Sequence, residues 1–394
     1  MNNKIEFLNL GKQPIANGFL TEEEFDSEFF YDLRVGLDRE TNLVTHMDYV
    51  KPELMFNENY AYRGSMSATM RAHFIRLTKK LKSHLPTSPK VLEIGSNDGV
   101  FIKNWDKEST YAVEPCSNFA KETNDLGYKT YNKFWTTELA ETILEELGPM
   151  DLVFAANCMC HIPDLDQTFS AVEKVLAENG FFVFEDPSLA RMINENSYDQ
   201  IYDEHPHIFS VIALQSILKR NGLVIVGVDN ISVHGGSNRI WVQKEKVAHP
   251  DESVENNIIH EKIIGLNTFC TFDRFSKNVM DSKTNLLQVL TRCAEYDKKV
   301  VSYGATSKST TVFNYCGIGT ELIQYITDTT PEKQNKFSPG MHIPIVPPEG
   351  NFNDSVDIAF LGAWNFANEI KNKEIDYINR GGQFITHVPI VRFI

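Results

Sequence analysis

The chain has 394 residues, 42% hydrophobic and 23% charged, with a formal net charge of −15 at pH 7. That composition belongs to a folded protein long enough for two or three domains, and an acidic balance without any basic block excludes nucleic acid as a partner. No apolar run reaches the length of a membrane span and Met1-Asn2-Asn3-Lys4 begins no secretory signal, so a cytoplasmic protein without membrane contact is expected.

Residues 1–63 alternate short apolar runs with turns (Gly11-Lys12-Gln13-Pro14, Asn17-Gly18) and predict a small, irregular leading domain. From Ser65 the residues Met66, Met70, Phe74, Leu77 and Leu81 recur every three or four positions, which predicts a helix with one apolar stripe. Lys79, Lys80 and Lys82 then gather at its negative end. Strands are predicted at 90–94, 110–114, 151–155, 180–185 and 223–228, with helical stretches between and a shorter, antiparallel strand at 238–243. Such alternation predicts a mainly parallel sheet covered on both faces, within a domain spanning 64–245. The polar segment from 246 to about 296 has helical spacing in Ile258, Ile259, Ile263, Leu266 and Phe269 and is expected to cross between domains. A second α/β pattern fills the remainder of a 246–394 domain, with strands at 300–304, 323–328, 357–361 and 383–388.

The first strand of the central domain runs into Val91-Leu92-Glu93-Ile94-Gly95-Ser96-Asn97-Asp98-Gly99. Gly95 permits a sharp turn close to a ligand, and Gly99 lets the following helix pack tightly. Glu114, 15 residues after Gly99 and followed by Pro115, is placed to accept both hydroxyls of a ribose. Asn97 and Asp98 crowd the place where a pyrophosphate needs bare backbone, so a nicotinamide dinucleotide fits poorly. A ribose beside a cationic group fits better, and S-adenosylmethionine supplies both.

Ligands of open α/β sheets sit beyond the carboxyl ends of the strands, and two further polar clusters fall there. One is Asn157-Cys158-Met159-Cys160-His161 after the third strand. The other follows Glu185-Asp186-Pro187 and is the densest: Tyr198-Asp199-Gln200-Ile201-Tyr202-Asp203-Glu204-His205. Histidine is the usual general base at neutral pH, and such a base contributes roughly 10²–10⁴-fold. His205 is therefore the expected base, with Glu204 and Tyr202 beside it. His234-Gly235-Gly236 predicts a loop at the rim of the same pocket. In the second α/β unit, Thr306, Ser307 and Lys308 follow Tyr303-Gly304, where they can meet a phosphate or merely cap a helix. The six cysteines form no CxxC pair and the eleven histidines no HExxH spacing, so no metal is expected.

Taken together, these segments resemble the S-adenosylmethionine-dependent sugar C-methyltransferases that branch nucleotide-linked deoxysugars. Beyond the glycine turn, the resemblance is carried by Phe7-Leu8-Asn9-Leu10-Gly11, Tyr60-Ala61-Tyr62, Cys160-His161-Ile162-Pro163, the run Tyr198 to His205, His234-Gly235-Gly236, Tyr303 to Ser309 and Asp328 to Asn335. It implies three domains: a small zinc-binding leader, a central class I methyltransferase-type doubly wound sheet, and a Rossmann-like C-terminal domain that helps hold the sugar nucleotide. It implies methyl transfer to C3 of a 4-keto deoxysugar on a nucleoside diphosphate (dTDP, GDP or CDP), leaving S-adenosylhomocysteine. It also implies a monomer. Tyr62, Asn157, Tyr202, Glu204 and His205 match the family's catalytic and substrate positions. His161, His234, Tyr303, Thr306, Ser307, Lys308 and Asn335 are expected to contact the acceptor.

Three departures stand out. No cysteine precedes Cys116, and Asp38 and Thr41 stand where a cysteine pair would fall, so the leader is expected to hold no zinc. Asn132-Lys133-Phe134-Trp135 replaces the acid that often meets adenine. Pro206-His207-Ile208-Phe209 replaces an aromatic run, which points to a different sugar. An O-methyltransferase, or a homologue that binds a sugar nucleotide without turnover, are the rival readings.

Overall fold

The computed structural model describes residues 3–353 and 355–394 and gathers the strands into three sheets. In the leader, β1 (Lys4–Pro14), β2 (Phe30–Asp38) and β3 (Val44–His46) pair antiparallel. The turn between the last two is closed by Asp38, whose Oδ1 accepts the Thr41 amide at 2.9 Å, the Thr41 hydroxyl at 2.9 Å and the Glu40 amide at 3.0 Å. Hydrogen bonds thus shape the turn where the family pattern wants thiolates.

The central sheet is built from β4 (Val91–Ile94), β5 (Thr110–Val113), β6 (Lys129–Tyr131), β7 (Met150–Ala156), β8 (Leu176–Pro187), β10 (Leu223–Ile231) and β11 (Ser237–Lys244). Its order is β10-β11-β8-β7-β4-β5-β6, with β11 antiparallel to both neighbours and the rest parallel. This is the class I methyltransferase arrangement, and every predicted strand is present in it. The added β6 carries too few apolar residues to announce itself. Strand order reverses between β4 and β7, so a crevice opens at their carboxyl ends. The intervening strand β9 (His207–Ile208) leaves this sheet and joins the leader, pairing antiparallel with β3.

The C-terminal domain repeats the logic. Its β12 (Val300–Tyr303), β13 (Ile326–Thr327), β14 (Ile345–Val346), β15 (Ile358–Leu361), β16 (Gln383–Thr386) and β17 (Arg392–Phe393) take the order β14-β13-β12-β15-β16-β17, all parallel but the last. Its own reversal point lies between β12 and β15, at the end that faces the central domain.

The helix expected from Ser65 runs over Ala68–Lys82 with Met70, Phe74, Leu77 and Leu81 buried. Met66 precedes it and is exposed. The segment after 246 holds two helices. Glu252–Ile263 lies against the central domain, where the Glu261 carboxylate accepts the Val211 and Ile212 amides at 2.8 and 2.9 Å. Phe269–Glu295 buries Phe272, Phe275, Val279, Leu286 and Leu290 in a core shared by the leader and the C-terminal sheet; the Phe7 and Phe272 rings lie 4.9 Å apart. The leader is therefore packed onto both of the other domains rather than tethered beside them.

Candidate active site

A cavity of about 730 Å³ lies where the three domains meet, within the size range of small-molecule sites. One end is the crevice of the central sheet. Gly95 turns with φ +74, and a Cβ there would lie 2.7 Å from Cys158 Sγ, so only glycine fits. Asn97 and Asn157, which follow β4 and β7, take left-handed backbone angles near +50 that asparagine tolerates better than most side chains. Glu114 ends the next strand and is anchored by two amides, Asn97 N–H on Oε2 at 2.7 Å and Cys116 N–H on Oε1 at 2.8 Å. Glu93 is buried beneath the turn, and burial, with Glu114 and Asp98 nearby, raises its pKa well above the ordinary carboxylate value.

Glu93, Gly95, Asn97, Glu114, Pro115 and Asn157 all line the cavity. Asp98 and Gly99 do not. The Asp98 carboxylate accepts the Ser65 amide at 3.1 Å, and Gly99 turns with φ +77 against Thr123 and Ile102. Both shape the turn instead of facing a cation, because an unpaired backbone donor next door claims the carboxylate first. Phe134, Trp135 and Thr136 form the wall beyond Glu114, where the sequence left the adenine contact open. An anchored carboxylate at ribose position, apolar walls beyond it and no phosphate cradle fit S-adenosylmethionine.

The other end holds the dense loop. His205 Nδ1 is 2.7 Å from the Gln200 carbonyl, which can only accept, so Nδ1 carries the proton. Nε2 is left as the acceptor, and the Tyr202 hydroxyl donates to it at 2.8 Å. Burial, together with the nearby His161 and Lys308, holds the His205 pKa well below 6.5, so the ring is neutral at pH 7. Glu204 does not touch that ring. Its Oε1 accepts the Asn17 side-chain amide at 2.6 Å and its Oε2 accepts the Tyr60 hydroxyl at 2.7 Å. Tyr62 is exposed on the cavity wall, and its carbonyl accepts the Asn97 side-chain amide at 2.9 Å.

His161 is stacked between Phe56 and His205, with ring centroids 5.4 and 5.1 Å away, and burial pushes its pKa down to about 3. Cys160, His161 and His205 bring possible ligand atoms within 4.8 Å of one another. They do not fit a metal: both His205 nitrogens are engaged, and the stacked rings set their in-plane lone pairs side by side rather than convergent.

His234 and, from the C-terminal domain, Thr306, Ser307 and Lys308 line the cavity. Tyr303 and Asn335 do not. The Tyr303 hydroxyl donates to Glu374 at 2.7 Å, and Asn335 holds a left-handed turn whose amide donates to the Ile345 carbonyl at 2.9 Å. Asn17 and Tyr60 were missed by sequence reasoning; Asn17 reads as half of an ordinary Asn-Gly turn, and the Tyr60-Ala61-Tyr62 motif offers two tyrosines. Also missed was a buried cluster behind the loop. The Trp364 indole N–H donates to Asp199 Oδ2 at 2.5 Å, and His387 Nε2 lies 3.4 Å from the same oxygen. Asp199 adjoins Gln200, whose carbonyl orients His205.

Three family models match in succession: a putative zinc binding domain over 1–56, a methyltransferase domain over 62–228 and a C-methyltransferase C-terminal domain over 232–389. The chain is 29% identical to C-methyltransferase NovU of Streptomyces niveus, over 99% of this chain and 94% of that one. The chain is an S-adenosylmethionine-dependent C-methyltransferase. Solved structures are more distant. The PH0226 protein from Pyrococcus horikoshii OT3 has a TM-score of 0.38 at 14% identity, over 50% of this chain and 100% of that one. An S-adenosylmethionine-dependent methyltransferase from Clostridium acetobutylicum ATCC 824 has a TM-score of 0.34 at 13% identity, over 46% and 93%. The enzyme's leader does not fit zinc: residues 1–56 contain no cysteine and a single histidine, His46. Among the described residues, no helix is long and apolar enough to cross a membrane.

Proposed function

We propose that the enzyme methylates C3 of a 4-keto deoxysugar carried on a nucleoside diphosphate, through an enolate. The observation that carries this reading is that one cavity joins the donor crevice to a neutral, oriented histidine flanked by Tyr202 and Glu204.

A carbonyl at C4 makes the C3 proton removable, because the electron pair left behind moves into the C3–C4 bond and charge passes to oxygen. His205 Nε2 holds the one lone pair on that ring able to take a proton and is the base. The Tyr202 hydroxyl occupies that lone pair before the acceptor enters, and gives way to it. Glu204, fixed by Asn17 and Tyr60, presents a carboxylate that positions the sugar hydroxyls. Gly95, Glu114, Pro115, Phe134, Trp135 and Asn157 are the residues that would hold S-adenosylmethionine. That donor supplies an electrophilic methyl group. Holding donor and acceptor in contact accounts for much of the remaining acceleration.

The test is incubation with methyl-labelled donor and a panel of 4-keto deoxysugars on dTDP, GDP and CDP. NMR of the product should show the label on a C3 that has lost its proton. Label on an oxygen would make the enzyme an O-methyltransferase; nucleotide binding without turnover would make it a binding homologue. His205→Asn should abolish transfer while donor affinity is retained.

A further inference from the structure

The chemistry above leaves negative charge on the C4 oxygen with no cation assigned to meet it. We propose, resting on that reading, that Lys308 is a catalytic residue: its ammonium takes the C4 oxygen of the acceptor as charge develops there.

Three arginine or lysine side chains line the cavity, Arg63, Lys308 and Lys333. Two are already committed. Arg63 pairs with Glu122 at 2.8 Å and lies 3.8 Å from Glu332. Lys333 donates to the Ala305 carbonyl at 2.7 Å and sits 4.9 Å from the centre of the Phe19 ring. Lys308 makes no hydrogen bond or ion pair among the described residues. A half-buried ammonium on a cavity wall, with no protein partner, is a donor left open to a ligand.

Its helix is docked beside the reacting groups. Lys308 is the second residue of the helix Ser307–Cys316, whose first turns are set against the catalytic loop. The Thr311 hydroxyl donates to the Ile201 carbonyl at 3.4 Å. The Asn17 side-chain amide bridges Ser307 Oγ at 3.1 Å and Glu204 at 2.6 Å. The charged and titratable groups facing Lys308 are Asp199 and Glu204, which attract it, and His205 and His234, which burial, foremost, and then its charge hold in the neutral form. Burial lowers the Lys308 pKa, with those two carboxylates opposing the shift.

The electron movement is balanced without any further reagent. The base takes the C3 proton, the C–H pair becomes the C3–C4 double bond, and the carbonyl π pair moves to oxygen, where a Lys308 N–H donates while keeping its proton. On methylation the oxygen pair re-forms the carbonyl and the C3–C4 π pair forms the new bond to the methyl carbon, while the pair of the methyl–sulfur bond that breaks would stay on the donor's sulfur. A lysine that bound the diphosphate instead would act on affinity alone, because phosphate charge does not change along this path.

Wild type, Lys308→Met and Lys308→Arg should be compared in three measurements: acceptor affinity by calorimetry, kcat for methyl transfer, and exchange of the C3 proton in D2O without donor. Lys308→Met should lower kcat and exchange by about 100-fold or more, the scale seen when one oxyanion donor is removed, with acceptor Kd changed by less than about threefold. Added ethylamine should restore part of the exchange, which a misfolded variant cannot do. A Kd weakened tenfold with kcat retained would make Lys308 a phosphate ligand and overturn the assignment, as would full activity in Lys308→Met. Wild type that neither exchanges nor methylates any acceptor would overturn the acceptor class, and this role with it.

Discussion

Acid should loosen the leader before it damages the rest of the enzyme, and two histidines set the size of the effect. His46 ends β3, and His207 lies opposite Thr45 in β9, the strand that joins the leader to the central domain. The His46 amide donates to the Pro206 carbonyl across that seam at 2.8 Å. Both rings are almost fully buried; neither His46 nitrogen has a partner, while His207 Nε2 lies 3.1 Å from the Pro163 carbonyl. Burial, foremost, pushes His46 down to about 3 and His207 to about 4, from an ordinary 6.5. The folded rings are thus neutral where the unfolded rings are charged. Stability is fully present above pH 6.5 and is lost as pH falls through the window down to the folded values. At pH 5 the loss is about 2 kcal/mol for each ring, at about 1.4 kcal/mol per pH unit, and the two together are an upper bound because their mutual repulsion is shared. That compares with a total of about 5–15 kcal/mol for a folded protein. Hydrogen exchange of peptides covering β1 to β3, corrected for intrinsic rates at pH 7.5 and pH 5, reads the local opening. Protection should fall in the wild type and change far less in a His46→Gln, His207→Gln double variant. Equal loss of protection in both proteins would refute the reasoning.

Other perturbations address single contacts. Tyr60→Phe strips one donor from the buried Glu204 carboxylate, a contact worth about 1.5–3 kcal/mol, so kcat should fall about 10- to 100-fold with donor Kd unchanged by calorimetry. Gly235→Ala should raise the acceptor KM and lower thermal stability, because the residue turns with φ +87 and a Cβ would lie 2.5 Å from Trp364 Cη2. Glu261→Ala leaves the Val211 and Ile212 amides without their acceptor; urea unfolding should show a loss of about 2 kcal/mol or more. Trp364→Phe removes the indole donor from Asp199 and should lower kcat more than it changes KM, since Asp199 stands next to the residue that orients His205.

Local pattern made the donor crevice readable. Its strand, its glycine turn and its anchored acid all lie within Val91 to Pro115, and the chemistry of each follows from spacing along a few residues. The leader was harder. Its first strand is eleven residues long, interrupted by Gly11 and by shifts in register against β2, and its third strand finds its partner far along the chain, Val44 opposite Ile208 and Thr45 opposite His207. Period-two patterning cannot register such pairings. Asp98 lies off the cavity for a different reason: a carboxylate at a ligand-facing turn also faces the neighbouring chain, and it accepts the Ser65 amide. Tyr303 and Asn335 belong to family-like motifs, yet one hydroxyl is bound to Glu374 and the other residue serves a turn.

What no local pattern can show is the meeting of three domains at one carboxylate. Glu204 receives Asn17 and Tyr60, both from the leader, and the same Asn17 amide reaches Ser307 at the start of a C-terminal helix. Those contacts span 187, 144 and 290 residues of chain. They give the leader a reason to persist without thiolates: its loop at Asn17 is a wall of the reaction chamber, and what it must preserve is that loop's position, not a metal. The position is secured from both sides. Asp203 accepts the Ala16 amide at 3.0 Å, Thr310 donates to the Ala16 carbonyl at 3.1 Å, and Phe7 packs on the long helix that also carries the C-terminal sheet. A zinc site would stiffen the leader internally, whereas these bonds fix it to its partners. For a domain that places one amide on the Glu204 carboxylate, docking is the property that matters.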